Sequence, residues 1–520
     1  MNQILVTMAK IRTFLCSILY FGMIISCKEP ADQKPSSNKD FCASIHKSEP
    51  ISIRQALAGL DTILTKKSGA YVLEDGDGSM IARAWMTEHA TKSIDIQYFI
   101  FSVDNVGLIA CDYLVRAADR GVKVRILVDD IMVEADPSDI MIMDAHPNID
   151  IKIYNPGMSI GKNIFQKIGK LMTDFRGSNQ RMHNKTFIAD RAAAITGGRN
   201  IADEYFDYDH QYNFRDRDIF LLGPIVHDIQ SSFDTFWNDK LSVPISTILK
   251  DQVVKKDDPY RYEKLHQYAC DSSNYWPQIR ERVSRVPLAF KDMVDSGSLI
   301  WTDSIKYVSD DPGKNDGSQG LLGSGKSTEA LIDLIKGAQS TIDIQSPYLV
   351  TTELSRDLFI NATKRGVKIS ILTNSLASTD NLEAFSGYQR DRKKLLDTGI
   401  QIYEFRPDAA CRFALMTGDL SRKLDYTPIF GLHAKTMVVD GHTLVIGTFN
   451  LDPRSAHLNT ECITIINNKT LAKGVLKGME EEFQPENSWH TTRDWNPDHL
   501  VKKSKRAGVF VRKIVPKGIL

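Results

Sequence analysis

The stretch His183-Asn184-Lys185-Thr186-Phe187-Ile188-Ala189-Asp190, followed by Gly197-Gly198-Arg199-Asn200, returns 250 residues later. There it reads His433-Ala434-Lys435-Thr436-Met437-Val438-Val439-Asp440, then Gly447-Thr448-Phe449-Asn450. Both copies are H-x-K-x4-D-x6-G-x2-N, and packing alone does not require the same gapped set of histidine, lysine, aspartate and asparagine twice. If H-x-K opens a strand, the two-residue period puts imidazole and ammonium on one face, where both can meet one anion. Asp190 and Asp440 then fall at the strand ends, where they are expected to anchor the motif strands and lysines rather than touch substrate. Asp440-Gly441 is a turn signal, and Thr443 to Ile446 is the returning strand that brings Gly447 and Asn450 back beside the histidine. The first copy lacks that glycine and turns less legibly near Arg191-Ala192. Two such hairpins facing each other surround a phosphodiester with two histidines, the minimum for in-line displacement through a covalent intermediate.

The duplication extends beyond the motif. In the first half, Met80 to Ala90 reads as a helix and Ser93 to Ile100 as a strand. Val106 to Arg120 reads as a helix stopped by Gly121, and Val122 to Val128 as a second strand. The second half repeats this order with Thr341 to Gln345, a helix ending at Lys364, and Val367 to Leu372. Strand, helix, strand at this spacing is a βαβ unit, so an α/β fold of two tandem domains follows, each a mixed, largely parallel sheet flanked by helices. The expected organisation is 1–27 a processing segment, 28–50 a tether, 51–244 the first domain, 245–317 a connecting segment, 318–495 the second domain, and 496–520 a basic tail. The connecting segment, with helical patches at Tyr260 to Tyr268 and Trp276 to Arg285, is expected to pack across both halves.

The 65 basic and 65 acidic residues cancel, which argues against nucleic acid as a partner. Seven cysteines show no metal-binding spacing and support no disulfide framework. Near the N-terminus, Lys10 and Arg12 precede an apolar run, Thr13 to Ser26, that is short for a membrane span and ends Ile24-Ile25-Ser26-Cys27. The polar tether after it fits a linker away from a membrane surface. The last twenty residues hold seven basic side chains and no acid, interleaved with apolar ones, a composition suited to an anionic bilayer or to a solvated terminus. Gly320 to Ser327 matches the phosphate-loop pattern G-x4-G-K-[ST]. It follows a polar, turn-rich run instead of a buried strand, so it is read as a helix-entry loop with Gly325 and Ser327 shaping and capping the helix.

The paired motifs resemble the signature of the phospholipase D superfamily, whose members build one active site from two such repeats related by a pseudo-twofold axis. The resemblance runs from about Tyr71 to Trp489. Arg181 to Lys185, Gly197 to Phe206 and Asn450 to Ser455 narrow it to the C-type bacterial cardiolipin synthases. It implies a phosphatidyltransferase acting on phosphatidylglycerol, with phosphatidylethanolamine as second lipid, through a phosphatidyl-histidine. His183 would attack and His433 would serve as acid and then base. Lys185, Lys435, Asn200 and Asn450 would hold the phosphate oxygens. No metal or other cofactor, and no obligate protein partner, is implied; the partners are phospholipids and a membrane surface. Thr448 stands where serine is common, and Gly198 in the same place in repeat one leaves no hydroxyl there. A carboxylate behind each histidine is implied too, Glu461 for His433 and Asp216, in preference to Asp218, for His183; Asp218 is expected in a surface ion pair. Ile24 to Cys27 resembles a lipoprotein cleavage box, which would lipidate Cys27 and place the enzyme in the bacterial envelope. The alternatives are a hydrolase or nuclease of the same superfamily, and a noncatalytic lipid-binding lipoprotein; the latter is disfavoured because neither motif has lost its His or Lys.

Overall fold

A computed structural model describes residues 41–42, 51–130, 137–157, 180–250, 262–314, 323–416 and 428–520. Cys27, the leader and nearly all of the tether lie outside the described residues, as do residues 315–322, which include the start of the phosphate-loop match. Each repeat opens with a strand, β1 (Ser68–Leu73) or β11 (Ile305–Ser309), followed by a helix, α1 (Gly76–His89) or α4 (Lys326–Gly337). The βαβ units come next. They are β2 (Ser93–Tyr98), α2 (Asn105–Asp119) and β3 (Lys123–Asp129), then β12 (Thr341–Gln345), α5 (Glu353–Lys364) and β13 (Lys368–Asn374). Asp75, Asp104 and Thr352 cap α1, α2 and α5 by accepting from the backbone N–H three residues on.

After β4 (Ile149–Tyr154) and β14 (Gln401–Phe405) come the motif hairpins, β5 (Thr186–Ala189) with β6 (Ala193–Gly197), and β16 (Thr436–Val439) with β17 (Thr443–Gly447). The strands begin one residue after the lysines, so His183 and Lys185 lie in the extended lead-in. Asp440 and Gly441 both take left-handed φ, 54° and 58°. The first copy achieves the same turn at Asp190 and Arg191, with φ of 53° and 55°, although no glycine marks it. The chain closes each repeat with β8 (Asp218–Leu222) and β9 (Ser242–Pro244), or β18 (Cys462–Asn467) and β19 (Ser488–Thr491).

The strand orders are β1-β8-β6-β5-β2-β3-β4-β9 and β11-β18-β17-β16-β12-β13-β14-β19, the same topology twice, and β10 (Ile300–Thr302) extends the first sheet beyond β1. Both sheets are mixed. Parallel pairing is confined to β2-β3-β4 and β12-β13-β14, less than expected, because every other neighbour arrives by a hairpin or a return strand. Each sheet has a core of its own against its outer helices. A third core joins the sheets. Ile188, Ala194 and Leu221 of the first share it with Val438, Leu444 and Ile446 of the second, together with α3 (Ile225–Asn238) and α7 (Lys469–Glu482).

The connecting segment reaches both halves through different parts: its helices pack on repeat one, and its last strand, β11, joins the second sheet. Its helices at Pro277–Ser284 and Ala289–Asp295 place Ile279, Val283, Phe290 and Met293 in the core of repeat one. The handover falls between β10, paired with β1, and β11, paired with β18. Cys42 and Cys270 form a disulfide, which ties the chain ahead of the first domain to this segment. Phe41 packs on Tyr275 beside it.

Candidate active site

The two repeats exchange backbone at the motif. β7 (Tyr212–Arg215), just before Asp216, pairs in parallel with β15 (Ile429–Leu432), just before His433. His433 and Ala434 both donate their N–H to the Arg215 carbonyl. Met182 bridges Thr460, with His183 N–H on the Thr460 carbonyl and Thr460 N–H on the Arg181 carbonyl. Each acid therefore emerges beside the histidine of the other repeat. His183 Nδ1 lies 2.8 Å from Glu461 Oε2, and His433 Nδ1 lies 2.6 Å from Asp216 Oδ2. The pairing expected within each repeat is corrected to a crossed one. A carboxylate on Nδ1 fixes the tautomer that leaves Nε2 unprotonated and turned away from the acid, toward the shared site.

The two acid sites are not copies. Thr448 Oγ1 and Ser455 Oγ donate to the Glu461 carboxylate. On the other side a Cβ at Gly198 would stand 2.0 Å from Asp216 Oδ1, so glycine is what admits the shorter acid, and the Arg217 N–H serves that oxygen at 2.7 Å. Asp218 is wholly buried with Arg83 and Ser79 and is not the expected surface partner; its place is behind Asp216, not on a histidine.

Lys185 Nζ donates to its own His183 carbonyl at 3.0 Å, and Lys435 Nζ to the His433 carbonyl at 2.6 Å. Lys435 Nζ is also 3.0 Å from His433 Nδ1. An ammonium cannot donate to a nitrogen whose proton is held by Asp216, so the carbonyl bond is the one that counts there. Burial pushes the Lys185 ammonium down to about 7, and the facing Lys435 adds to it. Burial takes Lys435 to about 8 while Asp216 and Glu461 oppose it. Burial likewise takes His183 to about 4 against the pull of Glu461, and His433 to about 3, where Lys435 adds to burial and Asp216 opposes. Burial alone would raise the Asp216 and Glu461 carboxyls; the histidines and lysines outweigh it and hold both low. The site thus presents two neutral imidazoles, two ionised acids and two buried lysines whose charged forms a bound anion stabilises. Aromatic edges fix the rings: Phe99 on His183 at 5.1 Å and Tyr205 on His433 at 5.1 Å.

The remaining expected residues divide. Among the described residues the buried Asn450 Oδ1 has no partner, whereas Asn200 Oδ1 takes the Ile100 N–H. Asp190 and Asp440 lie at the far ends of their strands. Asp190 accepts the N–H groups of Thr91, Lys92 and Ser93, and Asp440 those of Gln339, Ser340 and Thr341. They anchor the hairpins to β2 and β12 and touch neither lysine in this structure, which corrects that part of the expectation and their grouping with the catalytic residues. Sequence reasoning missed two buried arginines that hold the repeats together. Arg215 pairs with Glu482 and Glu74, and Arg217 with Glu74 while donating to Gln345 and Thr436. Their flanking of Asp216 in the R-D-R run was the available signal. At the phosphate-loop match the Asp310 carboxylate fills the N-terminus of α4, taking the Ser327 N–H and hydroxyl and the Glu461 N–H. A phosphate has no place there. Cys42, His266 and Cys270 form the group able to hold a metal among the described residues, but its two sulfurs are joined to each other.

Two facing histidines, each backed by an acid from the opposite repeat, with paired lysines between duplicated sheets, define a two-histidine phosphodiester-processing fold. The family described as "Cardiolipin synthase, PLD-like domain" matches residues 86–237 and 331–484, more than half of the chain. An uncharacterised protein of Helicobacter pylori strain J99 is 34% identical over 82% of this chain and 81% of its own. Cardiolipin synthase C of Escherichia coli K12 is 33% identical over 86% of this chain and 91% of its own. The crystal structure of a phosphatidylserine synthase from Haemophilus influenzae shares the fold, with a TM-score of 0.57 at 14% identity, over 88% of this chain and 98% of that one. The chain belongs to the phospholipase D-like cardiolipin synthase family and is an enzyme of the phosphatidyltransferase class.

Proposed function

We propose that the chain makes cardiolipin, joining phosphatidylglycerol to the phosphatidyl group of a second phospholipid. The observation that carries this reading is the crossed pair of histidine and acid from opposite repeats, which makes one site that can both attack a phosphodiester and protonate what leaves. The donor phosphodiester seats its nonbridging oxygens on Lys185 and Lys435, with the amide groups of the buried Asn450 and Asn200 as further donors. These groups stabilise the charge that builds on phosphorus in the transition state. His183 Nε2 attacks; the P–N bond forms, the bond from phosphorus to the headgroup oxygen breaks, and that oxygen takes a proton from His433. Burial, with Lys435 adding to it, holds the free His433 ring neutral; the bound monoanion offsets the lysine part and adds an attraction of its own, so His433 takes up this proton as substrate binds. The headgroup alcohol departs. The free glycerol hydroxyl of phosphatidylglycerol then gives its proton to His433 and attacks phosphorus, breaking the P–N bond. One phosphodiester replaces another, so no nucleotide is consumed. Water in place of the hydroxyl gives phosphatidic acid from the same intermediate.

Cys27 is proposed as a lipidated mature N-terminus that anchors the enzyme in the bacterial envelope. The Cys42–Cys270 disulfide supports a location outside the reducing cytoplasm. Among the described residues no helix is long and apolar enough to cross a membrane. The test is product analysis with phosphatidylglycerol vesicles, with and without phosphatidylethanolamine, alongside His183→Ala and His433→Ala. Cardiolipin from the wild type, lost in both variants, upholds the reading; phosphatidic acid alone moves it to a hydrolase.

A further inference from the structure

The C-terminal tail is a built surface. Its helix α8 (Lys503–Arg512) buries Val509 against α6 (Leu382–Leu396). Arg512 pairs with Glu383, and Lys517 with Asp391, on that same helix. The chain end is held as well. Leu520 is buried against Val350, and its carbonyl accepts the Arg454 N–H at 3.1 Å, one residue from the Ser455 that serves Glu461. A terminus held at both ends still presents Phe510, Val511 and Ile514 to solvent, 73%, 62% and 77% exposed. Phe510 and Val511 are neighbours on the last turn, and Ile514, just past the helix end, follows four and three positions on, so the three share one side. Around them Lys502, Lys503, Arg506 and Lys513 have no acidic partner among the described residues, and the last twenty residues contain no acid. Large apolar side chains ringed by unpaired cations are an ill-suited face for water and a complementary one for an anionic bilayer.

The position of this face ties it to the chemistry. Lys505 Nζ donates to the carbonyls of Ala377 and Thr379. The same loop supplies the Ser378 carbonyl that takes the Tyr212 hydroxyl, and Asp380, which accepts from the Tyr348 hydroxyl at 2.8 Å. Tyr212 packs on Phe214, whose ring lies 4.8 Å from that of His433. The helix therefore holds the loop that backs the second-histidine side of the active site.

We propose that α8 is a bilayer-docking element, with Phe510, Val511 and Ile514 entering the headgroup boundary of an anionic phospholipid surface and the surrounding lysines and Arg506 meeting its phosphates. Docked this way, the helix brings the loop at Ala377 to Asp380, which Lys505 grips from the protein side, close to the lipid surface, and with it the His433 side of the site. That orientation rests on the phospholipid reading of the site; the docking itself does not.

The experiment uses the full chain carrying Phe510→Trp in vesicles of phosphatidylglycerol and phosphatidylcholine with brominated acyl chains. The expected result is an added tryptophan signal, beyond the six native ones, that the bromines quench and aqueous iodide does not reach. The quenching should weaken in phosphatidylcholine alone and at high salt. Phe510→Asp with Ile514→Asp should lower turnover on vesicles about a hundredfold, and turnover of the same lipids in detergent micelles by no more than about twofold. Free access of iodide to the introduced tryptophan in vesicles overturns the proposal. So does a double variant that turns over vesicles normally, or one that alters the oligomeric state, which would mark the face as an interface between copies. Absence of wild-type turnover in both vesicles and micelles would sink the enzymatic reading and leave the quenching test intact.

Discussion

Glu461→Gln should disable the histidine of the other repeat, and this outcome distinguishes the crossed arrangement from any local one. Glu461 is wholly buried and meets His183 Nδ1 at 2.8 Å while Ser455 Oγ holds its other oxygen at 2.8 Å. Glutamine keeps the shape. Its Oε1 still accepts a hydroxyl, but its amide then turns N–H toward Nδ1, and two donors cannot share one contact. The ring answers by moving its proton to Nε2, the atom that has to attack. Losing the charge-assisted bond alone removes about 1.5–3 kcal/mol, roughly 10- to 150-fold in rate. A wrong tautomer behind a catalytic histidine costs about 10⁴-fold where an acid-to-amide change was made in a serine-protease triad. The expected loss is therefore about 10²- to 10⁴-fold in initial rate on phosphatidylglycerol vesicles. The structural readout is ¹⁵N spectroscopy of histidine-labelled protein, with the His183 and His433 signals assigned from single substitutions. Glu461→Gln should shift the tautomer signature of His183 and leave that of His433, and Asp216→Asn should do the reverse. A rate within about threefold of wild type, or a shift that follows the repeat in which the acid resides, refutes the reasoning.

Other expectations follow from the same geometry. With a phosphatidyl ester of an activated phenol, which needs no acid to depart, His433→Ala should release one equivalent of phenol and retain a phosphatidyl adduct on His183, seen by mass spectrometry, whereas His183→Ala should give neither. Lys185→Met should abolish turnover yet raise thermal stability at pH 7.5. A lysine held at about 7 when folded binds fewer protons than the unfolded one between about pH 7 and 10.5, so the wild type should gain stability across that window and the variant should lose the gain, which pH-dependent melts will read. The histidines act in the same direction lower down: held at about 4 and 3, they should make stability fall as pH drops below about 6.5. Gly198→Ala drives a methyl to 2.0 Å from Asp216 Oδ1 and should cost activity as severely as Asp216→Ala, whereas Thr448→Ser should keep most of it. Cys42→Ser should lower stability by about 2–5 kcal/mol in denaturant titration, an effect that reductant reproduces in the wild type.

The sequence by itself determined the duplication, the α/β class and the paired H-x-K motifs, because those are local statements. The H-x-K-x4-D spacing, the Asp440-Gly441 turn and the strand-helix-strand periodicity each depend on residues close together in the chain, and local propensity and pattern express them directly. Val106 to Arg120 is read as a helix and stands at Asn105–Asp119; Thr341 to Gln345 is read as a strand and stands there. What only the tertiary structure decided is who meets whom. The acid-to-histidine contacts span 278 and 217 positions, and nothing near Glu461 says that its strand will run beside Arg181 and not beside its own motif. The same limit hid the disulfide, 228 residues across, and the packing of the connecting helices into the core of repeat one. It also hid Asp310 in the mouth of the phosphate-loop look-alike, because a helix N-terminus is satisfied by whichever carboxylate the fold delivers. Backbone pairing between β7 and β15 settles the crossing. Once those strands share hydrogen bonds, a short acid side chain can reach only the histidine beside it.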